Sequence, residues 1–281
     1  MGTGEAVLFA DFESEAPERC LVRNGVACVF SRRRPGRETA NEDGALLVSV
    51  ADDLTVLAVA DGLGGHADGH LAAQAALYEI AESLISAGAK SFDDLRPAII
   101  DGFERANSAI LSGLSGAATT LVVVEIHGRK VRPYHVGDSA LLVCGRGGKL
   151  KHKTVAHSPV GYALEAGVLE EHEALRHQDL HLVSNVVGAP DMRIEVGAPL
   201  ELRANDSVLL MTDGVADNLT TDEIVELIRR GAPAAAAATL ASAAAERMAG
   251  SAELDDRGLP PPSKPDDLTF ILYRPVRSPR R

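Results

Sequence analysis

Cysteine is scarce in this chain. Cys20, Cys28 and Cys144 are the three present, an odd number at wide spacing with no CxxC pair. That argues against a disulfide framework or a zinc site and makes a reducing, cytoplasmic setting the expectation. Long apolar runs are lacking too, and no stretch approaches the length of a membrane span. The opening residues, MGTGEAVLFADFESEAPE, have neither a basic start nor a long apolar run, so no secretory signal is expected there. Met1-Gly2 begins like a myristoylation site, but Ala6 stands where serine or threonine is needed. Positive charge is in deficit: 28 lysines and arginines face 40 acidic residues, a formal net charge of −12. An acidic surface repels nucleic acid and anionic lipid, so neither nucleic acid nor membrane is an expected partner. Strict alternation of strands and helices is also missing, which excludes a regular parallel α/β fold.

The chain does have enough length and apolar content, 281 residues and 46% hydrophobic, to bury a sizeable core. Strand-length apolar runs recur at Val7–Ala10, Val26–Phe30, Ala45–Val50, Leu54–Ala60, Thr119–Ile126, Val131–Val136, Ala140–Gly145, Asp206–Thr212 and Leu268–Arg274. Tight links at Ala51-Asp52-Asp53 and at His127-Gly128-Arg129-Lys130 predict antiparallel hairpins. Helical patterns come in two blocks. The first covers Asp68–Ala87 and Ser91–Leu114, where Ser91 with Asp94 resembles a capping box. The second follows Asp213. There Thr220 with Glu223 starts one helix, Gly231 ends it, and Pro233 opens an alanine-rich one that stops near Gly250. This order predicts an α+β fold in which two antiparallel sheets are sandwiched between helical layers. We expect a single domain over 1–281, with its core at about 20–275 and a tail over 275–281. Residues 145–184 are polar, histidine-rich and weakly patterned, and predict a flap with one short helix near Val160–Leu175.

The informative feature is where the carboxylates fall. Asn41-Glu42-Asp43-Gly44 leads into one strand, Asp61-Gly62 follows another, and Gly137-Asp138-Ser139 sits between two more. Asp213-Gly214 follows SVLLMT directly, and Asp266-Asp267 enters LTFILY. Any single Asp-Gly reads most simply as a turn. Turn chemistry does not require an acid at five strand tips, however. Strand tips lie side by side in a sheet, so carboxylates distant in sequence can meet. Such a group repels itself and is tolerable only with cations, and an all-oxygen site selects hard ions such as Mg²⁺ or Mn²⁺.

The blocks TANEDGALL, VLAVADGLGGHADG, GAATTLVVV, YHVGDSALLV, SVLLMTDGVADNLTTDEI and KPDDLTFIL appear in that order across nearly the whole chain. Together they resemble the metal-dependent serine/threonine protein phosphatases of type 2C, in their bacterial form. The resemblance implies a four-layer α-β-β-α sandwich with two central antiparallel sheets flanked by helix pairs. It implies hydrolysis of phosphoserine and phosphothreonine by a hydroxide shared between two Mn²⁺ or Mg²⁺ ions. It implies that Asp61 bridges the ions, with the Gly62 carbonyl as a further ligand. Asp213 and Asp266 then complete one shell, while Asp43 and Glu42 hold the other ion directly or through water. Asp138 with Asp213 matches the site of a third, weaker ion in bacterial members. The implied partners are phosphorylated proteins, with a serine/threonine kinase or its targets as the opposing system.

The chain departs from the family pattern in places. The position four residues before the Glu of NED, where the family carries a phosphate-gripping arginine, is Glu38. Arg37 lies one residue upstream and reaches the site only through a bulge; otherwise it belongs to the solvated basic run from Arg32. Ala118 replaces a common glycine, and Asp267 stands where many members have asparagine. His66 is a candidate proton donor to the leaving oxygen, or alternatively a hydrogen-bond donor behind the ligands. His135 is expected to be a satisfied core residue, and the histidines from His152 to His181 to be solvated in the flap.

Two alternatives compete. A pseudophosphatase would keep the fold and bind phosphoproteins without cleaving them, which the displaced arginine favours. The run Gly62-Leu63-Gly64-Gly65-His66-Ala67 also fits a dinucleotide-binding fingerprint, but a second helix follows the first where that fingerprint calls for a strand.

Overall fold

In a strand buried on both faces, successive side chains feed two different cores, and the strands of this protein sort their apolar residues in that way. The computed structural model describes residues 3–63, 68–250 and 261–275. Along them run β1 (Glu5–Ala10), β2 (Glu18–Val22), β3 (Gly25–Arg32), β4 (Asp43–Ala51), β5 (Leu54–Leu63), α1 (Gly69–Ala87), α2 (Phe92–Gly113), β6 (Ala118–Thr119), β7 (Leu121–His127), β8 (Lys130–Val136), β9 (Ala140–Cys144) and β10 (Leu150–Lys153). There follow α3 (Pro159–Glu165), α4 (Glu171–Ala174), β11 (Glu195–Val196), β12 (Leu200–Glu201), β13 (Ser207–Met211), α5 (Asp213–Ala216), α6 (Thr221–Ile228), α7 (Pro233–Met248) and β14 (Leu268–Pro275).

The first sheet has the order β1-β4-β5-β7-β8-β11, with β12 beside β8 and β6 beside β5. The second runs β10-β9-β13-β14-β3-β2. All pairs within them are antiparallel. In β4 and β5, Leu46, Val48, Val56 and Ala58 pack toward α1 and α2. Their alternates Ala45, Leu47, Leu57 and Val59 face the second sheet. In the second sheet, Val29, Val143, Leu210 and Ile271 face inward, whereas Phe30, Leu142, Leu209 and Phe270 pack against α6 and α7. Three cores between four layers result, and the expected α-β-β-α sandwich with two central antiparallel sheets is observed.

Both predicted hairpins form, at β4–β5 and β7–β8. The Ser91–Asp94 and Thr220–Glu223 capping boxes are both present. The alanine-rich α7 buries Ala237, Leu240, Ala241 and Ala244 along one face, so its small side chains serve close packing. Several elements escaped the sequence. The edge strand β2 buries only Val22 and carries little apolar signal. The flap holds β10 and two short helices in place of one, split at the turn after Glu165. Pro275, expected at the start of the tail, ends β14, and residues 276–281 and 251–260 lie outside the described part.

The helix-side core predicts the cost of damage. Phe103 on α2 is fully buried, so Phe103→Ala should remove about 3–5 kcal/mol of stability. Urea unfolding followed by circular dichroism measures this. A loss under about 1 kcal/mol would show that α2 does not pack as a core layer.

Candidate metal centre

Antiparallel pairing brings the first two carboxylates together. Asp43 opens β4, Asp61 lies near the end of β5, and the two are direct partners in the ladder. Asp213 is the first residue of α5, two residues beyond the end of β13, and the intervening Thr212 N–H donates to the Thr269 carbonyl of β14. Asp266 precedes β14, and Asp138 sits in the turn between β8 and β9. Because β13 and β14 are neighbours, and β4 and β5 face them across the inter-sheet core, the five tips meet at one end of the sandwich. Asp61 lies within electrostatic reach of Asp213, Asp43, Asp138 and Asp266 together. The convergence expected from the sequence is thus present.

Hydrogen bonds fix Asp61 and Asp43. Thr120 Oγ1 accepts from the Asp61 N–H at 3.1 Å, and the Thr119 hydroxyl donates to the Asp61 carbonyl at 2.8 Å. The paired threonines of the GAATT block therefore hold Asp61 from both sides. The Thr212 hydroxyl donates to Asp43 Oδ2 at 2.8 Å, and Asn41 Oδ1 accepts from the Asp43 N–H at 3.0 Å. Close backbone approach needs glycine at two positions. A Cβ on Gly62 would lie 2.1 Å from the Gly69 carbonyl oxygen, and one on Gly214 would lie 1.9 Å from the Asp267 carbonyl oxygen. A Cβ on Gly69 would lie 2.6 Å from Glu42 Oε1 and 2.8 Å from the Gly62 carbonyl oxygen, which sets those two oxygens side by side at the start of α1.

The electrostatics are those of an anionic cluster with too little positive charge to balance it. Burial, then the charges of Asp213, Asp43, Asp138 and Asp266, raise Asp61 well above the usual carboxylate range. Asp43 is raised likewise by burial and by Asp267 and Asp213, partly offset by hydrogen bonds from Thr212 and Thr269. Burial and Asp213 push Asp138 up to about 7, Asp217 to about 8 and Asp266 to about 6. Asp138 Oδ1 is buried without a hydrogen-bond partner. An all-oxygen set short of positive charge, with an orphaned carboxylate oxygen, fits hard divalent cations.

Two members of the cluster were missed from sequence. Asp217 stands one helical turn beyond Asp213 in DGVAD, the only signal it gave. Lys264, two residues before Asp266, sets Nζ 2.6 Å from Asp213 Oδ2 and 2.7 Å from Asp217 Oδ2. Burial opposes its charge, but Asp213 and Asp217 outweigh that and raise its pKa. Asp267 stands close enough for its charge to raise Asp43 and Asp266, but its carboxylate is engaged by backbone. Its carboxylate accepts from the Arg34 N–H at 2.6 Å and the Glu42 N–H at 2.7 Å, tying the loop before β4 to β14. That loop turns at Gly36, where φ is +77°, and the Arg37 N–H donates to the Arg34 carbonyl. Arg37 Nη1 then reaches Glu42 Oε2 at 2.7 Å, so the guanidinium stands beside the site. His66 lies outside the described residues.

The flap histidines were expected in solvent, yet His157 is buried. It stacks on His135 with ring centroids 4.4 Å apart, and its Nδ1 accepts from the Gly137 N–H at 3.1 Å. It therefore holds the turn that carries Asp138. His135, His157 and Glu195 have potential ligand atoms within 4.8 Å of one another. His157 Nδ1 accepts from the Gly137 N–H and the Asn185 side-chain amide, its Nε2 faces Glu195, and His135 Nε2 donates to the Val155 carbonyl. These bonds and the stacked rings make the group a structural clamp. A cavity of about 440 Å³ lies beside Asp138 and Asp217 and is roofed by Val160, Leu164, Leu175 and Leu180 of the flap.

Comparisons with known proteins agree with this geometry. A family model described as Protein phosphatase 2C matches residues 32–252. The chain is 27% identical over 187 residues to Protein phosphatase PhpP of Streptococcus pneumoniae, covering 64% of this chain and 75% of that one. It is 30% identical over 201 residues to the serine/threonine protein phosphatase PstP of Mycobacterium tuberculosis, covering 67% of this chain but 36% of PstP. The solved catalytic domain of PstP with two manganese ions superposes with a TM-score of 0.67 at 25% identity, over 89% of this chain and 98% of that one.

The raised carboxylates carry a sign for stability. A carboxyl group whose folded pKa exceeds its unfolded value stabilises the fold below the unfolded value, and that stability is lost as pH rises through the folded pKa. With Asp266, Asp138 and Asp217 at about 6, 7 and 8, chelator-treated protein should lose thermal stability as pH rises from about 5.5 to 8.5. The expected fall in Tm is several degrees, at about 2–4 °C per kcal/mol for a chain of this size. Saturating Mn²⁺ should abolish the fall. A Tm that rises over that range without metal would contradict a repelling cluster.

Proposed function

The chain belongs to the protein phosphatase 2C family, and from that premise we propose that Asp43, Asp61, Asp213 and Asp266, with Glu42 and the Gly62 carbonyl, hold the two divalent ions of a serine/threonine protein phosphatase. It is a metal-dependent phosphatase that takes Mn²⁺ or Mg²⁺. The observation that carries the residue assignment is the pairing of Asp43 with Asp61 in the β4–β5 ladder, within electrostatic reach of Asp213 and Asp266. When bound, two such ions lower the pKa of water and neutralise charge on the phosphoryl oxygens.

The protein's own groups supply placement. Asp61 is held by Thr119 and Thr120 at the centre of the cluster, where its carboxylate would help hold the ions. Thr212 orients the Asp43 carboxylate. Arg37, next to Glu42, offers its remaining N–H groups as a fork to the phosphate of the substrate. His66 remains the candidate donor to the leaving serine or threonine oxygen. Substrates are phosphorylated proteins, with a serine/threonine kinase or its targets as the opposing system. Among the described residues no helix is long and apolar enough to cross a membrane, and the three cysteines are free thiols, which supports a cytoplasmic setting.

The dinucleotide alternative does not account for α2 directly following α1, nor for the four other acidic tips. The pseudophosphatase alternative is separated by turnover of a phosphothreonine peptide against Mn²⁺ concentration. Wild type should turn over. Asp61→Asn should fold, by circular dichroism, and lose at least about a hundred-fold in kcat, more than loss of a residue merely supporting a ligand costs. Wild type inert at every Mn²⁺ concentration would leave only phosphoprotein binding. Arg37→Ala should raise KM about ten-fold, the equivalent of one charged hydrogen bond. An unchanged KM would return Arg37 to the solvated basic run.

A further inference from the structure

Lys264 is not a loosely placed surface lysine. Its N–H donates to Asn218 Oδ1 at 2.9 Å, and its carbonyl accepts from Asn218 Nδ2 at 2.8 Å. Asn218 is fully buried and also donates to the Gly214 carbonyl, so the lysine is fastened to α5, the element that begins with Asp213. From that anchor the ammonium reaches Asp213 Oδ2 and Asp217 Oδ2, with Asp266 Oδ2 at 3.8 Å, and the side chain is 28% exposed. Lys264 and Asp138 also interact electrostatically.

We propose that the Lys264 ammonium is a resident counter-ion at the Asp213–Asp217 pole of the cluster, where it stands in place of a third divalent ion and leaves the protein with two. The inference rests on the two-ion reading of Asp43, Asp61, Asp213 and Asp266. Its physical basis is competition for the same oxygens. A lone pair that accepts an ammonium N–H is not available to a metal, and two cations cannot share one carboxylate edge without strong repulsion. Asp213 Oδ2 faces Lys264, and the other oxygen of Asp213 remains for the ions near Asp61. Asp138 and Asp213 are the pair that the resemblance to bacterial members assigns to a third ion, and the lysine is held in place by backbone bonds on both its sides. Lys264 is in this sense a positioning residue: it sets how many ions the carboxylates accept.

Counting bound Mn²⁺ tests this without reference to activity. Metal-free protein is titrated by calorimetry, and retained manganese is measured after equilibrium dialysis. Wild type should bind two ions per chain. Lys264→Gln, and Lys264→Met as a second neutral variant, should bind three, while Lys264→Arg should stay at two. The metal-free neutral variants should also melt below wild type, and Mn²⁺ should raise their Tm more than it raises that of wild type. Three ions in wild type, or the same count in wild type and both neutral variants, overturns the proposal. No retained Mn²⁺ in folded wild type overturns the two-ion reading beneath it. An Asp61→Asn control tells these failures apart, because that variant should lose ions whatever Lys264 does.

Discussion

Repulsion among buried carboxylates is the constraint on which this structure turns. Asp43, Asp61, Asp138, Asp213, Asp217 and Asp266 are brought to one end of the sandwich, and burial together with their mutual charge raises each one whose titration is perturbed. A protein tolerates such a group only if something cationic is to be held there, or if the fold is stable enough to carry the strain. Both conditions are visible. Strands β4, β5, β13 and β14 are buried on both faces over nearly their whole length, so their ends cannot drift apart to relieve the repulsion. Lys264 meanwhile supplies one positive charge from within the chain.

The same rigidity explains why the supporting hydrogen bonds are made by short side chains. Thr119, Thr120, Thr212 and Asn41 reach one or two atoms from the backbone and lose little rotamer freedom on ordering. Ser31 and Thr269 continue the network, with their hydroxyls 2.7 Å apart under Asn41. On the opposite side the His135–His157 stack holds the Gly137–Asp138 turn against the flap. The carboxylates are thus set by a polar layer that runs between the two sheets at their ends, where the apolar inter-sheet core gives out.

Legibility followed the kind of signal. The long strands were plain because they are continuous apolar runs, and helices α2 and α6 because their caps are written in Ser91–Asp94 and Thr220–Glu223. Strand β2 and the two-residue strands were not, since a short edge strand makes few apolar contacts and leaves little pattern. The solvated role expected of His157 failed because its burial depends on Gly137 and His135, which lie far from it in the chain. Asp267, which stands where many members have asparagine, accepts from the Arg34 and Glu42 amides, contacts that depend on a loop more than 220 residues away in the chain.

By itself the sequence determined the acidic residues at strand tips, the antiparallel hairpins and the helix pairs, because these depend on local periodicity and turn chemistry. Tertiary structure alone decided that Asp217 and Lys264 join the cluster, that Asp267 ties the Arg34–Glu42 loop to β14, and that Arg37 turns back toward Glu42. Each of those outcomes depends on the direction of a side chain across a gap between two elements. That direction is set by sheet register and by the packing of α5 against β14, which no run of neighbouring residues encodes.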